Sequence, residues 1–304
     1  MTVAYLAKKG YIDEITKHLS HGYQIYDHLI VTDDEYFPLP WVKNVVFEPE
    51  VKSFSSINEA AKFLLSVHKN WAYYATSAGR RGALIAEKLP NFIKKPIHFM
   101  ERESLNPMGF YTLLDQNTLL YSKNTRSPFP LGKTHLEEFP NDPPSRAYLK
   151  IIEAFYTMGE RPTKGDLCIE IGASPGGWTW VAEKLAGEVH TFDRAPLGYN
   201  HASHVIHSQA NAFTLDPSIF YEKNIAAKEF EKVWLISDII CYPEMQLEFV
   251  KKWIDSGYID RIVATIKFQG EFSKSIIKEF LKVENSEIYH LFHNKHELTF
   301  FWKR

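Results

Sequence analysis

Apolar residues recur along this chain in two rhythms, and the change between them divides the sequence. Up to about residue 125, short strand-like and helix-like stretches alternate. Val3–Leu6, Asp27–Val31 and Asn44–Phe47 predict strands, and Asp13–His18 and Arg80–Leu89 predict helices. Ser55-Ser56-Ile-Asn-Glu59 reads as a capped helix start, followed by Ala60, Phe63, Leu64 and Val67 at helical spacing. Met108–Leu114 and Thr118–Tyr121 flank the polar Asp115-Gln-Asn117 and predict a hairpin. Residues 1–125 therefore read as a small α+β domain in which nothing is catalytic. Residues 126–143, with Pro128, Pro130, Pro140 and Pro143, read as a Pro-rich connection.

From residue 144 to 304 longer helices and strands alternate. A helix carries Ala147, Leu149, Ile151, Ile152, Ala154 and Phe155. Leu167–Ile171 and Val233–Ser237 are too apolar for one-faced strands and predict parallel strands buried on both sides. Between and after them come a helix over Pro175–Leu185, strands at Val189–Phe192 and His204–His207, a helix over Pro243–Ile254, a strand at Arg261–Ile266 and a helix over Phe272–Leu281. Ile288–Phe292 and Leu298–Trp302 close the pattern as adjacent strands. The fold class expected is α/β: a Rossmann-like, doubly wound parallel sheet with an antiparallel edge pair, preceded by the small α+β domain.

Composition narrows the class. A chain of 304 residues, 45% hydrophobic and 14% aromatic, buries a core and is not disordered over most of its length. Its apolar runs are strand-sized, and its first ten residues place cations after the apolar stretch, opposite to a secretory leader; the expectation is a cytoplasmic monomer without a membrane segment. Cys168 and Cys241 both fall in core segments, which predicts buried thiols, no disulfide and no metal site. A formal net charge of −2 counts against a nucleic-acid binder. The cations are uneven, however: residues 122–133 carry three and no acid, and Arg80-Arg81 and Lys94-Lys95 form smaller clusters. Such clusters are more often solvated faces than binding stripes.

The candidate chemistry begins at Glu170-Ile-Gly-Ala-Ser-Pro-Gly-Gly-Trp178, a strand-to-helix turn. Gly172, Gly176 and Gly177 let backbone approach a ligand without a Cβ in the way, and Pro175 suits a first helical position. Ala173, Ser174 and Trp178 complete the cradle. The turn departs from the dinucleotide pattern G-x-G-x-x-G, because Ser174 stands at the second glycine position and an extra glycine follows. Glu170 at the strand end suits the amino group of a methionine moiety better than a pyrophosphate. Asp193 ends the next strand, where an acid hydrogen-bonds ribose hydroxyls.

Four charged residues surround that turn. Lys267 and Asp238 follow the carboxyl ends of two core strands, Lys150 lies on the helix leading into the domain, and Glu297 starts the last strand. A solvated charge is an ordinary reading for any one of them and a poor one for all four. Methyl transfer to a hydroxyl requires the acceptor to be oriented and its proton handled. A lysine serves as base only if its ordinary pKa of about 10.4 is lowered, which burial and a second lysine favour and neighbouring carboxylates oppose.

At Ser145-Arg-Ala-Tyr-Leu-Lys150, Glu170–Trp178, Ser237-Asp238, Lys267-Phe-Gln-Gly-Glu271 and His296-Glu297, the chain resembles the FtsJ-like RNA 2′-O-ribose methyltransferases. With Tyr121–Gly132 and Phe139–Ser145 added, the likeness is greatest to the large-subunit rRNA cytidine 2′-O-methyltransferases of the RlmM type. The resemblance covers residues 141–304. It implies a class I methyltransferase domain, S-adenosyl-L-methionine as cofactor and RNA, as rRNA, for partner. It further implies a Lys-Asp-Lys-Glu tetrad of Lys150, Asp238, Lys267 and Glu297, in which Lys267 handles the proton. Where the family has an acid against the adenine, this chain reads Gln209-Ala-Asn211-Ala-Phe213, leaving Asn211 to meet the base through its amide. Residues 1–125 are shorter than the RNA-capturing region of RlmM-type enzymes and do not match its THUMP module motif by motif. Two other readings compete: a same-fold methyltransferase with a non-RNA acceptor, and an inactive RNA-binding homologue. Trp178, Tyr242 and Phe268 are candidates for base stacking, with core or rim packing the commoner role.

Overall fold

The computed structural model describes residues 2–20, 22–76, 79–90, 96–100, 108–217 and 230–304. The Lys94-Lys95 cluster lies outside them. The chain forms two compact units, Met1–Glu137 and Glu138–Arg304.

In the first unit, β1 (Val3–Ala7), β2 (Tyr23–Tyr26), β3 (Leu29–Thr32) and β4 (Val42–Phe47) form an antiparallel sheet in the order β2–β3–β1–β4, with the short helix α1 (Ile12–Thr16) after β1. A second sheet runs β5–β8–β7–β6, from β5 (Glu50–Ser53), β6 (Trp71–Tyr73), β7 (Gly109–Asp115) and β8 (Thr118–Ser122). Alternation along β7 and β8 serves two cores. Phe110 and Leu120 pack with Ala4, Leu6, Leu29, Val31 and Val46 of the first sheet. Tyr111, Leu113, Leu119 and Tyr121 point the other way, onto α2 (Ile57–Val67) and α3 (Gly79–Ala86). The start of α2 is capped as its sequence predicts: Ser56 Oγ accepts from Glu59 N at 3.2 Å, and Glu59 Oε2 accepts from Ser55 N at 2.8 Å.

The Pro-rich stretch is divided between the units. Its first part packs on β4, with Arg126 N donating to Val45 O and Ser127 N to Asn44 Oδ1. Gly132, at φ +70°, lies so close to the Lys43 carbonyl that a Cβ would meet it at 1.7 Å.

The second unit begins with α4 (Tyr148–Met158). Then follow β9 (Leu167–Ile171), α5 (Gly177–Leu185), β10 (Glu188–Asp193), β11 (Val205–Gln209), β12 (Val233–Ser237), α6 (Pro243–Asp255), β13 (Arg261–Lys267), α7 (Lys274–Leu281), β14 (Ser286–Tyr289) and β15 (Glu297–Lys303). The sheet order is β11–β10–β9–β12–β13–β15–β14, parallel from β11 to β13. The antiparallel strand is β15, inserted between β13 and β14, and six of its seven residues are buried. Every residue of β9 and β12 is buried, as two-sided strands require. The chain winds outward from β9 to β11 and then crosses to β12 on the other side. The switch point therefore lies between the carboxyl ends of β9 and β12, where a doubly wound sheet opens a crevice for a ligand.

Cys168 and Cys241 are buried free thiols. Among the described residues no helix is long and apolar enough to cross a membrane, and no group of three or more His, Cys, Asp or Glu is placed to hold a metal ion.

Candidate active site

A cavity of about 360 Å³ opens at the switch point. Its wall includes Glu170, Gly172, Ala173, Ser174, Pro175, Gly177, Trp178 and Asp193 from the turn and strand ends, with Asp238, Ile239, Ile240 and Lys267 opposite. That volume falls in the range of small-molecule and cofactor pockets.

The turn is built by close approach. Gly172 has φ +81°, and a Cβ there would stand 3.1 Å from Ile239 Cα. Gly176 has φ +109°, and a Cβ there would meet the Tyr199 ring at 2.7 Å. This left-handed residue caps α5, so the helix begins at Gly177 and not at Pro175, where the sequence places its first turn. Asp193 ties the turn to the end of β10: one carboxylate oxygen accepts from Ser174 N at 3.0 Å and the other from Ala195 N at 2.9 Å.

Glu170 is 2% exposed and accepts from Thr179 Oγ1 at 2.5 Å. Burial pushes its carboxyl up to about 8, with the Thr179 hydrogen bond opposing and the charges of Asp238 and Asp193 adding to the rise. Such a group is neutral near pH 7 until a cation arrives beside it.

The four charged residues converge. Lys150 Nζ stands 3.1 Å from both Asp238 oxygens and 2.7 Å from Glu297 Oε1. Lys267 Nζ lies 3.0 Å from Asp238 Oδ1 and donates to the Asp238 backbone carbonyl at 2.6 Å. Antiparallel pairing of β13 with β15 sets Lys267 directly opposite Glu297. Two cations and two anions leave the cluster formally neutral, the condition under which buried charges are tolerated. Burial acts to lower the Lys150 pKa, but the charges and hydrogen bonds of Asp238 and Glu297 outweigh it, so the net shift is upward. Lys267 and Asp238 line the cavity; Lys150 and Glu297 stand behind them.

Several contributing residues escape a reading of the sequence. Thr265 Oγ1 donates to Asp238 Oδ1 at 2.9 Å; its signal was the two-residue spacing that puts it on the same face of β13 as Lys267. Asn294 Nδ2 donates to Glu297 Oε1 at 3.3 Å, and only the fold brings that loop to α4. Asn211 is not brought to the cavity wall: its Oδ1 accepts from Phe213 N at 3.3 Å in a short 3₁₀ turn. Of the three aromatic candidates, Trp178 and Phe268 are buried at 2% and 6% exposure, and Trp178 Nε1 donates to Ala147 O. Tyr242 is exposed.

A model of the FtsJ-like methyltransferase family matches residues 143–294, half of the chain and nearly all of the second unit. The chain belongs to the FtsJ-like methyltransferase family. Curated relatives named ribosomal RNA large subunit methyltransferase M include that of Serratia proteamaculans (strain 568), 30% identical over 58% of this chain and 50% of its own length. Those of Pectobacterium carotovorum subsp. carotovorum (strain PC1) and Photorhabdus asymbiotica subsp. asymbiotica (strain ATCC 43949 / 3105-77) are 28% and 29% identical, over 58% and 59% of this chain and 50% and 51% of theirs. The chain spans about half the length of the curated relatives it matches. The Rossmann-like sheet expected for an FtsJ-like domain is the one observed.

Proposed function

We propose that this protein transfers the methyl group of S-adenosylmethionine to a ribose 2′-hydroxyl of RNA, with large-subunit rRNA as the substrate. One observation carries the reading: the cavity wall joins a buried carboxylate and a glycine cradle on one side to the reacting ends of a Lys-Asp-Lys-Glu cluster on the other. The matching curated relatives bear the name of a large-subunit rRNA methyltransferase, which supports the choice of substrate.

The residues present fit the cofactor. Glu170 offers a buried acid to the ammonium of the methionine moiety. Gly172 leaves room that a Cβ would fill, and Asp193 stands where ribose hydroxyls are bound. When bound, S-adenosylmethionine supplies an electrophilic methyl group. Asn211 is not among the residues that line the cavity.

The remaining work falls to the cluster. Lys150, kept cationic between two acids, is a fixed charge that holds the Asp238 carboxylate. Asp238 and Thr265 set the position of the Lys267 Nζ at the cavity wall. There Lys267, once its own proton has passed to solvent through the open cavity, orients the 2′-hydroxyl as a neutral amine and takes its proton as the oxygen–carbon bond forms. The first unit is proposed to capture RNA, although two of its cations are already engaged on aromatic rings: Arg126 over Tyr36 and Arg81 over Phe54.

The test is transfer of labelled methyl to total unmodified rRNA, with Lys267→Ala beside the parent. Label at a 2′-O position that the variant loses supports the reading. Measurable cofactor binding with no label on any RNA sinks it and turns the search to another acceptor.

A further inference from the structure

Behind the cavity, α4 and the loop that leads into β15 are joined twice, 139 or more residues apart in sequence. Glu153 lies three residues after Lys150 on α4, so both side chains leave the same side of the helix. It is 2% exposed, and its carboxylate is fully engaged by the loop. Oε1 accepts from Phe292 N at 2.6 Å; Oε2 accepts from His293 N at 3.0 Å and lies 2.7 Å from His293 Nδ1. The next residue, Asn294, is also 2% exposed. Its Oδ1 accepts from Leu291 N at 2.7 Å and Thr299 Oγ1 at 3.1 Å, which shapes the loop. Its Nδ2 points the other way, to the Glu297 oxygen that Lys150 holds at 2.7 Å.

These contacts close a ring. It runs from Lys150 to Glu297, through Asn294 to His293, across to Glu153 and back along one turn of α4. Neither Glu153 nor Asn294 lines the cavity, so neither touches cofactor or acceptor. A carboxylate buried this deeply is costly unless fully paired, and a loop of no consequence would be held more cheaply by apolar packing. The ring fixes where Glu297 stands. Glu297 fixes Lys150, Lys150 fixes Asp238, and Asp238 fixes the lysine at the cavity wall.

We infer that Glu153 and Asn294 are positioning residues of the reaction, acting through Glu297 to hold Lys150, Asp238 and Lys267 in their reacting arrangement. The inference rests on the methyltransferase reading of the site.

Asn294→Asp separates positioning from loop structure. The aspartate keeps an acceptor for Leu291 and Thr299 but faces Glu297 with a negative oxygen in place of a donor. Single-turnover methyl transfer to RNA should fall about 10- to 100-fold, by analogy with the loss that follows removal of a hydrogen-bond partner behind a metal ligand. Affinity for S-adenosylhomocysteine and for RNA, measured where the variant is folded, should stay within about twofold, although its unfolding temperature falls because the new buried carboxylate faces Glu297 unpaired. Glu153→Gln, which must set one amide hydrogen against a backbone N–H, should show the same split. In a Glu297→Ala background the Asn294→Asp change should cost nothing further, because the effect runs through Glu297. An active parent whose Asn294→Asp variant keeps its rate, or loses it equally with and without Glu297, overturns the positioning role alone. A parent that labels no RNA overturns the underlying reading, and this inference with it.

Discussion

Cofactor binding should release a proton, and Glu170 is the group that releases it. Its carboxyl is pushed up to about 8 by burial, with Asp238 and Asp193 adding to the rise. At pH 7 it is therefore about nine-tenths protonated in the free protein. An ammonium seated beside it favours the ionised form, so binding drives off about 0.9 of a proton. The ligand's own α-amine, stabilised as an ammonium by its free carboxylate, is already charged at pH 7 and takes up almost nothing. The net release expected at pH 7 is therefore about 0.9. Between pH 6 and 7 affinity should tighten about ninefold, because the ionised fraction of Glu170 rises by that factor while the amine keeps its charge. Titration calorimetry of S-adenosylhomocysteine in buffers of differing ionisation enthalpy reads the stoichiometry directly. Glu170→Gln should abolish the release, flatten the pH dependence and weaken binding at pH 8 by at least about tenfold. The same group sets a stability slope with a definite sign. Between its ordinary value of 4.5 and about 8, the folded protein holds a proton that the unfolded chain has lost. Stability of the free protein should fall as pH rises through that window, and Glu170→Gln should remove the fall. No proton release by the parent, with unchanged affinity in the variant, would reduce Glu170 to a neutral buried acid whose work is done by its bond to Thr179.

Lys150→Ala leaves Glu297 buried beside Asp238 without its cation, and breaking a buried pair in this way costs about 3–5 kcal/mol; urea unfolding should show the loss, and an unchanged midpoint would refute the buried network. Gly172→Ala meets both a left-handed φ and Ile239 backbone at 3.1 Å, so cofactor affinity should drop by at least about tenfold; equal affinity would show that the cradle has slack. Removal of residues 1–137 should leave S-adenosylhomocysteine affinity within a few fold while RNA affinity falls. Unchanged RNA binding by the shortened chain would leave the first unit without a capture role.

How much of this was legible in the sequence depends on what kind of contact each residue makes. Strongly apolar strands announced themselves: Leu167–Ile171 and Val233–Ser237 are bounded in the structure as their hydropathy suggests. Strands β2 and β5 left no such trace, since nearly all their residues face solvent and carry no alternation. The insertion of β15 beside β13 was not readable either. Both neighbouring strands are apolar, and order within a sheet is decided by packing partners that periodicity does not record. Around the site, Glu170, Asp193 and Asp238 were found because each stands at or just past the end of a core strand, a position with chemical meaning in this architecture. Asn294 and Glu153 were missed for the opposite reason. Each is an ordinary polar residue until the fold sets α4 against the 291–297 loop, and no local pattern foretells a contact between elements so far apart in sequence.

The two lysines show how one cluster gives the same residue type different tasks. Lys150 is more deeply buried, with its side chain 10% exposed, and is held by carboxylates on two sides. Burial alone would strip its proton, yet the paired acids more than compensate, so it stays charged. Its stabilising contribution is fully present below the ordinary lysine value and is lost only as pH climbs through its raised one. A cation so fixed orients Asp238 and does not exchange protons with a substrate. Lys267 has its side chain 19% exposed, shares one Asp238 oxygen and one backbone carbonyl, and stands at the cavity wall. Access to the cavity separates the pair. Exchanging their surroundings by Glu297→Gln, which halves the anionic hold on Lys150 without touching the cavity wall, should slow methyl transfer while leaving Lys267 indispensable. If Lys267→Ala became tolerated in that background, Lys150 would have taken over the proton and the division of labour argued from access would be wrong.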